Sequence, residues 1–352
     1  MRVEANDTGT RHAAIRPGLA GVAPGLVVAL LIAAVATIAG RFVPVVGGPV
    51  FGILLGATLA ALVPALRSKR CAPGYAVAAK PVLQLSIVVL GTGLSLRQVV
   101  QVGGQSLPVM LGTLAVALGG AWLLGNLLGV RGDARTLIGV GTGICGASAI
   151  AATSAVLKPK DTEVAYALGT IFTCNIAAVL LFPPLGHLMG MSPEAFGLWS
   201  GTAINDTSSV VAAAYGYGGD AGSHGMVVKL TRTLMLIPIV LALAALAARR
   251  NTAGQEFDPG SMPWRRIVPP FLIGFLLAVA VGSLGVIPGS WHPVLSASGT
   301  FLITTALAGI GLGLRPAAMR AAGHRPLLLG VLLWLAVAMS SLVLQAVTGN
   351  LT

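Results

Sequence analysis

Lys229 and Arg232 stand three residues apart in the apolar run Val227-Val228-Lys229-Leu230-Thr231-Arg232. That spacing puts both cations on one face of a helix. A basic side chain at the centre of a membrane costs ~2.5 to 3.5 kcal/mol on insertion scales, so such residues face a partner or a water-filled route. The segment Asn205-Asp206-Thr207-Ser208-Ser209 supplies an acid, and Asp206 is the expected partner of the pair. The same segment reads as a helix N-cap. A chain arriving as one half-helix would stop near Ala203 and restart after Asn205 or Asp206. The first N–H groups of the new helix, at Thr207 and Ser208, and the positive end of its dipole would then point into the protein. Helix starts of this kind hold anionic groups. Two blander readings stand beside this one: an extramembrane loop following Pro193-Glu194, and two cations that snorkel to the outer interface.

A second stretch, Gly139-Val140-Gly141-Thr142-Gly143-Ile144-Cys145-Gly146-Ala147-Ser148-Ala149-Ile150, packs four glycines into eight positions. Each costs ~1 kcal/mol of helix propensity relative to Ala, so a break is expected in mid-span. Bare backbone at that depth is tolerated only where it lines a protein or water cavity. Gly143, Gly146, Ala147 and Ser148 are therefore candidate binding positions. The stretch also fits close helix packing through small residues. Its Gly141-x-Gly143-x-x-Gly146 pattern matches a dinucleotide fingerprint with Asp161 or Glu163 in the ribose role, but the uncharged run from Thr136 to Leu157 lacks the soluble strand–helix context that fingerprint needs. Asn175 is a lone amide in an apolar span. It either bonds to a neighbouring helix or shares a cavity with Asp206 as a site for a coupling ion or proton.

The elements that position these residues follow from composition. Of 352 residues only 9% are charged and 55% are apolar, with a mean hydropathy of +0.89. Soluble proteins carry roughly 25% charge, so most soluble readings are excluded. The net charge of +12 would suggest nucleic acid in a soluble protein, but the basic residues lie between apolar runs and aromatic content is 5%, which leaves no stacking platform. Cys71, Cys145 and Cys174 are odd in number and far apart, suggesting neither a disulfide framework nor a zinc site.

Apolar segments of spanning length fall at about 18–39, 46–66, 81–96, 107–129, 136–157, 164–189, 195–217, 225–248, 267–287, 294–314 and 326–349. The first is read as a retained helix rather than a signal peptide, because it exceeds the length of a signal core and more spans follow. With the N-terminus inside, sixteen basic residues lie in cytoplasmic segments. Four lie outside: Arg41, Arg97, Lys158 and Lys160. That is the asymmetry of the positive-inside rule, and it puts the C-terminus outside. Gly91-Thr92-Gly93-Leu94-Ser95-Leu96-Arg97 aligns with Gly309-Ile310-Gly311-Leu312-Gly313-Leu314-Arg315 at an offset of 218, which also carries Pro108 onto Pro326. An odd number of crossings separates the copies, as inverted repeats require. Two helix ends of similar composition are the alternative.

Three runs carry a resemblance: Gly143-Ile-Cys-Gly-Ala-Ser-Ala-Ile-Ala-Ala152, Asn205-Asp-Thr-Ser-Ser-Val-Val-Ala-Ala213 and Val228-Lys-Leu-Thr-Arg-x-Leu-Met-Leu-Ile-Pro238. With them the chain resembles the YeiH-type sulfate exporter family of bacterial inner-membrane proteins, from about residue 48 to the last span. More distantly it is similar to the bile-acid sodium symporter and cation/proton antiporter architecture. That resemblance implies inverted repeats, two discontinuous helices crossing near the bilayer midplane, and a core domain moving against a panel. Relatives place His before Asp or Glu where this chain has Asn205-Asp206. A neutral amide cannot carry a proton as an imidazole does, so proton coupling would fall to Asp206.

The expected fold is thus an all-α polytopic membrane bundle of about 11 segments with inverted-topology repeats and two discontinuous helices. A cytoplasmic tail spans 1–17 and one transmembrane domain spans 18–349. Its core lies around 136–248, its repeat motif at 81–129 and 299–349, and a cytoplasmic loop covers 249–266. The expected activity is secondary-active transport of a small anion, sulfate or a related sulfur oxyanion, and not catalysis. Gly143, Gly146, Ala147, Ser148, Asn205, Thr207 and Ser208 would bind the anion, and Lys229 and Arg232 would add positive potential. Asp206, with Asn175, would hold a coupling Na+ or H+. The competing expectation is a sodium- or proton-coupled carrier of another substrate, with the basic pair structural. Expected partners are the bilayer and the anion, with no nucleic acid and no cofactor; the sequence leaves monomer and homo-oligomer open.

Overall fold

The computed structural model describes residues 19–42, 47–250, 270–313 and 323–350. The tail at 1–17, nearly all of the loop at 249–266 and the Leu314-Arg315 end of the second repeat copy lie outside the described residues. Among the described residues all regular structure is helical. Seven helices are long and apolar enough to cross a membrane: Gly21–Phe42, Ala72–Gly91, Leu96–Leu127, Asp161–Leu188, Ala221–Leu243, Gly289–Gly313 and His324–Thr348. The chain is a multi-pass helical membrane protein.

α1 (Leu19–Phe42), α2 (Gly47–Leu62), α3 (Ala72–Val77), α4 (Leu83–Gly91) and α14 (His292–Gly313) pack as one group, with α13 (Pro270–Ser283) against α4. α3 and α4 are one rod joined by a wider π turn at Ala78–Val82, which contains Pro81. Proline has no N–H for the regular ladder, and a π turn absorbs the mismatch. Where α2 crosses α14, a Cβ on Gly52 would stand 2.8 Å from the carbonyl oxygen of Thr304. Small residues at that crossing are what let apolar helices approach in lipid.

The second group holds α5 (Leu96–Leu127), α6 (Gly132–Gly143), α7 (Ala147–Leu157), α8 (Asp161–Leu188), α9 (Pro193–Ala203), α10 (Thr207–Tyr217), α11 (Ala221–Leu234), α12 (Leu236–Arg250) and α15 (His324–Thr348). α5 starts on a capping box in which Ser95 and Gln98 satisfy each other's backbone N–H.

The segments expected to cross at 136–157 and 195–217 do not run through. A Cβ on Gly132, at the start of α6, would stand 3.8 Å from Glu163 Oε1 near the start of α8, and one on Gly141 would stand 3.3 Å from Ile171. α6 and α8 therefore run side by side in the same direction. A link of only Lys158, Pro159 and Lys160 joins α7 to α8, so α7 must return toward the face where α6 began. The same holds for the next pair. Gly197 and Gly201 of α9 meet Ala221 and Val228 of α11 in parallel order. α10 then comes back: the Tyr217 hydroxyl donates to the Met191 carbonyl at 2.5 Å, and the Phe196 and Tyr217 rings stack at 3.9 Å. Each broken segment is a hairpin.

Helix boundaries repeat across the two hairpins. α7 and α10, Ala147–Leu157 and Thr207–Tyr217, start and end sixty residues apart, and so do the starts of α8 and α11. The register at 218 is not kept in this way: Pro108 is the thirteenth residue of α5, whereas Pro326 is the third of α15. Shared residue types there fall at different depths.

Candidate functional site

The hairpin tips meet. α6 ends at Gly143, and the N–H of Gly146 closes back on the Gly141 carbonyl at 2.9 Å. Gly146 sits at φ +62°, ψ −127°, a conformation that side chains with a Cβ avoid. The opposing tip leaves α9 through Ile204 in an extended conformation and caps α10 with Asp206. A Cβ on Gly146 would lie 3.4 Å from both Cα and Cβ of Asp206, so the two turns abut. The Asp206 N–H donates to Asn175 Oδ1 at 3.3 Å. Asn175 lies halfway along α8, which places the junction at mid-height.

Lys229 and Arg232 reach this junction from α11, and both are fully buried, so the snorkelling alternative does not describe them. The Lys229 ammonium donates to the carbonyls of Ile144 at 2.9 Å and Ile204 at 2.7 Å, and Arg232 Nη1 donates to the Thr202 carbonyl. These oxygens close the first limbs of the two hairpins. Cations at helix C-termini complement the negative dipole end. Asp206 makes no direct ion pair with either cation among the described residues, though it acts on Lys229 electrostatically; its carboxylate accepts from the Ser208 N–H at 3.2 Å and from the Ser208 hydroxyl. The expected acid–base pair is replaced by an N-cap at one helix end and carbonyl clamps at the others.

Of the anticipated residues, Gly143, Gly146, Asn205, Asp206, Ser208, Asn175, Lys229 and Arg232 converge on the junction. Ala147 and Thr207 open the first turns of α7 and α10, both half-buried. Ser148 is exposed and makes no hydrogen bond to the others. Several groups have no partner although buried: both amide atoms of Asn205, which is 1% exposed, and Arg232 Nε and Nη2. Buried polar groups are usually paired, so these atoms are the ones at the junction with hydrogen-bonding capacity left unused.

The carbonyls of Thr202, Ile144 and Ile204 were not anticipated. A signal existed: Gly141-Thr142-Gly143-Ile144 matches Gly201-Thr202-Ala203-Ile204 at the sixty-residue spacing. Thr202 also joins α9 to α15 through a 2.7 Å hydroxyl contact with Ser341.

A cavity of about 570 Å³ opens at the base of the α9–α10 hairpin. Glu194, Asp220 and His224 line one wall, and Leu94, His292 and Ser296 the other. It therefore lies between the hairpin group and the α4–α14 group, which pack together elsewhere. None of the junction residues lines it.

The family model described as Conserved hypothetical protein 698 matches residues 24–330. A UPF0324 membrane protein of Streptococcus pyogenes serotype M3 is 41% identical over 336 residues, covering 93% of this chain and 97% of its own. UPF0324 membrane proteins of Streptococcus agalactiae serotype V and Streptococcus pneumoniae serotype 4 are 38% and 40% identical, covering 93% and 92% of this chain and 98% and 97% of their own. Sequence likeness of this length, over a chain whose helices suit a bilayer, identifies it as a member of the Conserved hypothetical protein 698 family of UPF0324 membrane proteins.

Proposed function

We propose that this protein is a secondary-active transporter of a small anion, sulfate or a related sulfur oxyanion first, acting by alternating access in the bacterial inner membrane rather than by catalysis. The observation that carries the reading is the division of charge at the junction. Lys229 and Arg232 occupy the carbonyl ends of the first limbs, which offsets the negative dipole ends there. The starts of α7 and α10, both positive ends, abut where Gly146 meets Asp206. An anion at this point would meet N–H groups of Ala147, Ser148 and Thr207, and that of Ser208 in place of the Asp206 carboxylate it now serves, with the unpartnered amide of Asn205 beside them.

Topology supports the reading. Two hairpins that start from opposite faces, each followed by a spanning helix, have the form of inverted-topology repeats, in which the two halves exchange conformations during transport. If the hairpins are re-entrant, Lys158 and Lys160 move to the cytoplasmic side. Of the 22 basic residues, Lys229 and Arg232 lie at the junction and only Arg41 and Arg97 then stay outside. The positive-inside bias thus grows stronger, with the N-terminus still cytoplasmic. The cavity lined by Glu194 and His292 is then the outer vestibule.

Uptake and efflux of labelled sulfate and sulfite in proteoliposomes, with and without pH and sodium gradients, tests the assignment. Protein-dependent flux of either anion is the expected result. Monodisperse, helical protein that moves neither anion under any gradient overturns it.

A further inference from the structure

We propose that the transported anion and the Asp206 carboxylate compete for one positive junction, so that binding the anion draws a proton from solution onto Asp206. The inference rests on the anion-transport reading and adds its coupling.

The two hairpins match in register but not in chemistry. Gly146 and Asp206 are sixty residues apart, occupy equivalent cap positions and touch. The start of α7 has no side-chain cap, whereas the start of α10 is already occupied by the Asp206 carboxylate through Ser208. An acid at an N-cap does what a bound anion would do there.

The Lys229 ammonium acts on that carboxylate electrostatically but makes no direct hydrogen bond to it among the described residues. The Lys229 ammonium is engaged by the Ile144 and Ile204 carbonyls, and Arg232 Nη1 by Thr202. The other titratable groups facing the junction are Cys145 from the α6–α7 turn and Cys174 beside Asn175 on α8, so Asp206 is its one carboxylate among the described residues. The buried Asn205 amide, with Arg232 Nε and Nη2, leaves hydrogen-bonding capacity unused in the same region.

An anion beside an ionised Asp206 sets two negative charges together where water is scarce, and like charges at short range favour the neutral acid. A proton taken from solution by a carboxylate oxygen removes the repulsion and leaves an O–H that can donate to the anion. No other bond changes. By linkage, lowering the pH tightens anion binding by up to about tenfold per unit while one proton is taken up per anion.

Sulfate is the probe, because its own charge does not change between about pH 5 and 8. Its affinity for the purified full-length protein is measured across that range, together with proton uptake on adding sulfate in weak buffer. Asp206→Asn is measured in parallel; Asn caps helices as well as Asp does. The expected result is wild-type affinity that rises about tenfold per unit of acidification over part of the range, with proton uptake. Asp206→Asn then binds at high pH about as tightly as acidified wild type, with no slope and no uptake. Wild-type binding independent of pH, or a slope retained in Asp206→Asn, overturns the coupling and leaves the anion reading standing. Wild type that binds no sulfate at either end of the range, while remaining folded, overturns both.

Discussion

The Lys229 ammonium lies 2.7 Å from the Ile204 carbonyl and 2.9 Å from the Ile144 carbonyl, so one side chain ties together the tips of both hairpins. A methionine at 229 keeps most of the stem and removes the donor, stranding two buried carbonyls at ~1 to 3 kcal/mol each. Lys229→Met is expected to melt well below wild type in detergent and to lose transport. Arg232→Met strands one such carbonyl, that of Thr202, and should melt between the two. Equal melting of all three proteins would mean that the clamps do not hold the tips.

The direction of the chain after each break has its own test. If α6 and α7 form a re-entrant hairpin, cysteines at 158 and 160 react with a membrane-impermeant maleimide from the same side as cysteines at 131 and 135. A through-running segment would put them on opposite sides. The labelling is done in a background with Cys71, Cys145 and Cys174 replaced, and opposite-side labelling would refute the hairpin.

Gly146 separates tip geometry from ordinary helix propensity. Alanine there must adopt φ +62° and bring its methyl 3.2 Å from Ile171 and 3.4 Å from Asp206. Strained backbone of this kind costs ~1 to 3 kcal/mol, so Gly146→Ala should lower the melting temperature and cut sulfate flux at least about tenfold by misaligning the junction. A Cβ on Gly119 of α5 meets nothing within 4 Å. Gly119→Ala should be neutral or stabilising by up to ~1 kcal/mol, with flux unchanged. Matching behaviour of the two variants would remove the special role of the tip.

The breaks themselves were legible in the sequence because glycine density and an Asn-Asp-Thr-Ser cap are local signals. The burial of Lys229 and Arg232 was legible for a similar reason: a cation in an apolar run must find something. What the cations found was not. Their partners are backbone carbonyls, which every residue has and no letter announces, so Asp206 looked like the natural counter-ion. Hydropathy also measures length without direction. The 22 uncharged residues from Thr136 to Leu157 read alike whether they run straight or fold back. The short Lys158-Pro159-Lys160 link and the Gly-Thr-x-Ile self-match were the clues to the return. At 218, Pro108 and Pro326 fall at different depths in their helices, and the Leu314-Arg315 end of the second copy lies outside the described residues.

The mouth of the vestibule yields the last prediction. Glu194 and Asp220 are exposed on its hairpin wall, where both act electrostatically on His224. Two negative charges there oppose the arrival of a dianion along the proposed route, by a field that salt screens within about 10 Å at 0.1 M ionic strength. Glu194→Gln with Asp220→Asn should therefore lower the KM for sulfate offered from the outer face by roughly twofold to fivefold at low salt. The maximal rate should hold, since neither residue touches the junction. The gain should vanish at ~1 M salt, where the screening length falls to about 3 Å. A gain that survives high salt would point to a change of shape rather than of charge. No gain at low salt would indicate that the anion does not pass this mouth, and the outer route would have to be sought elsewhere between the two helix groups.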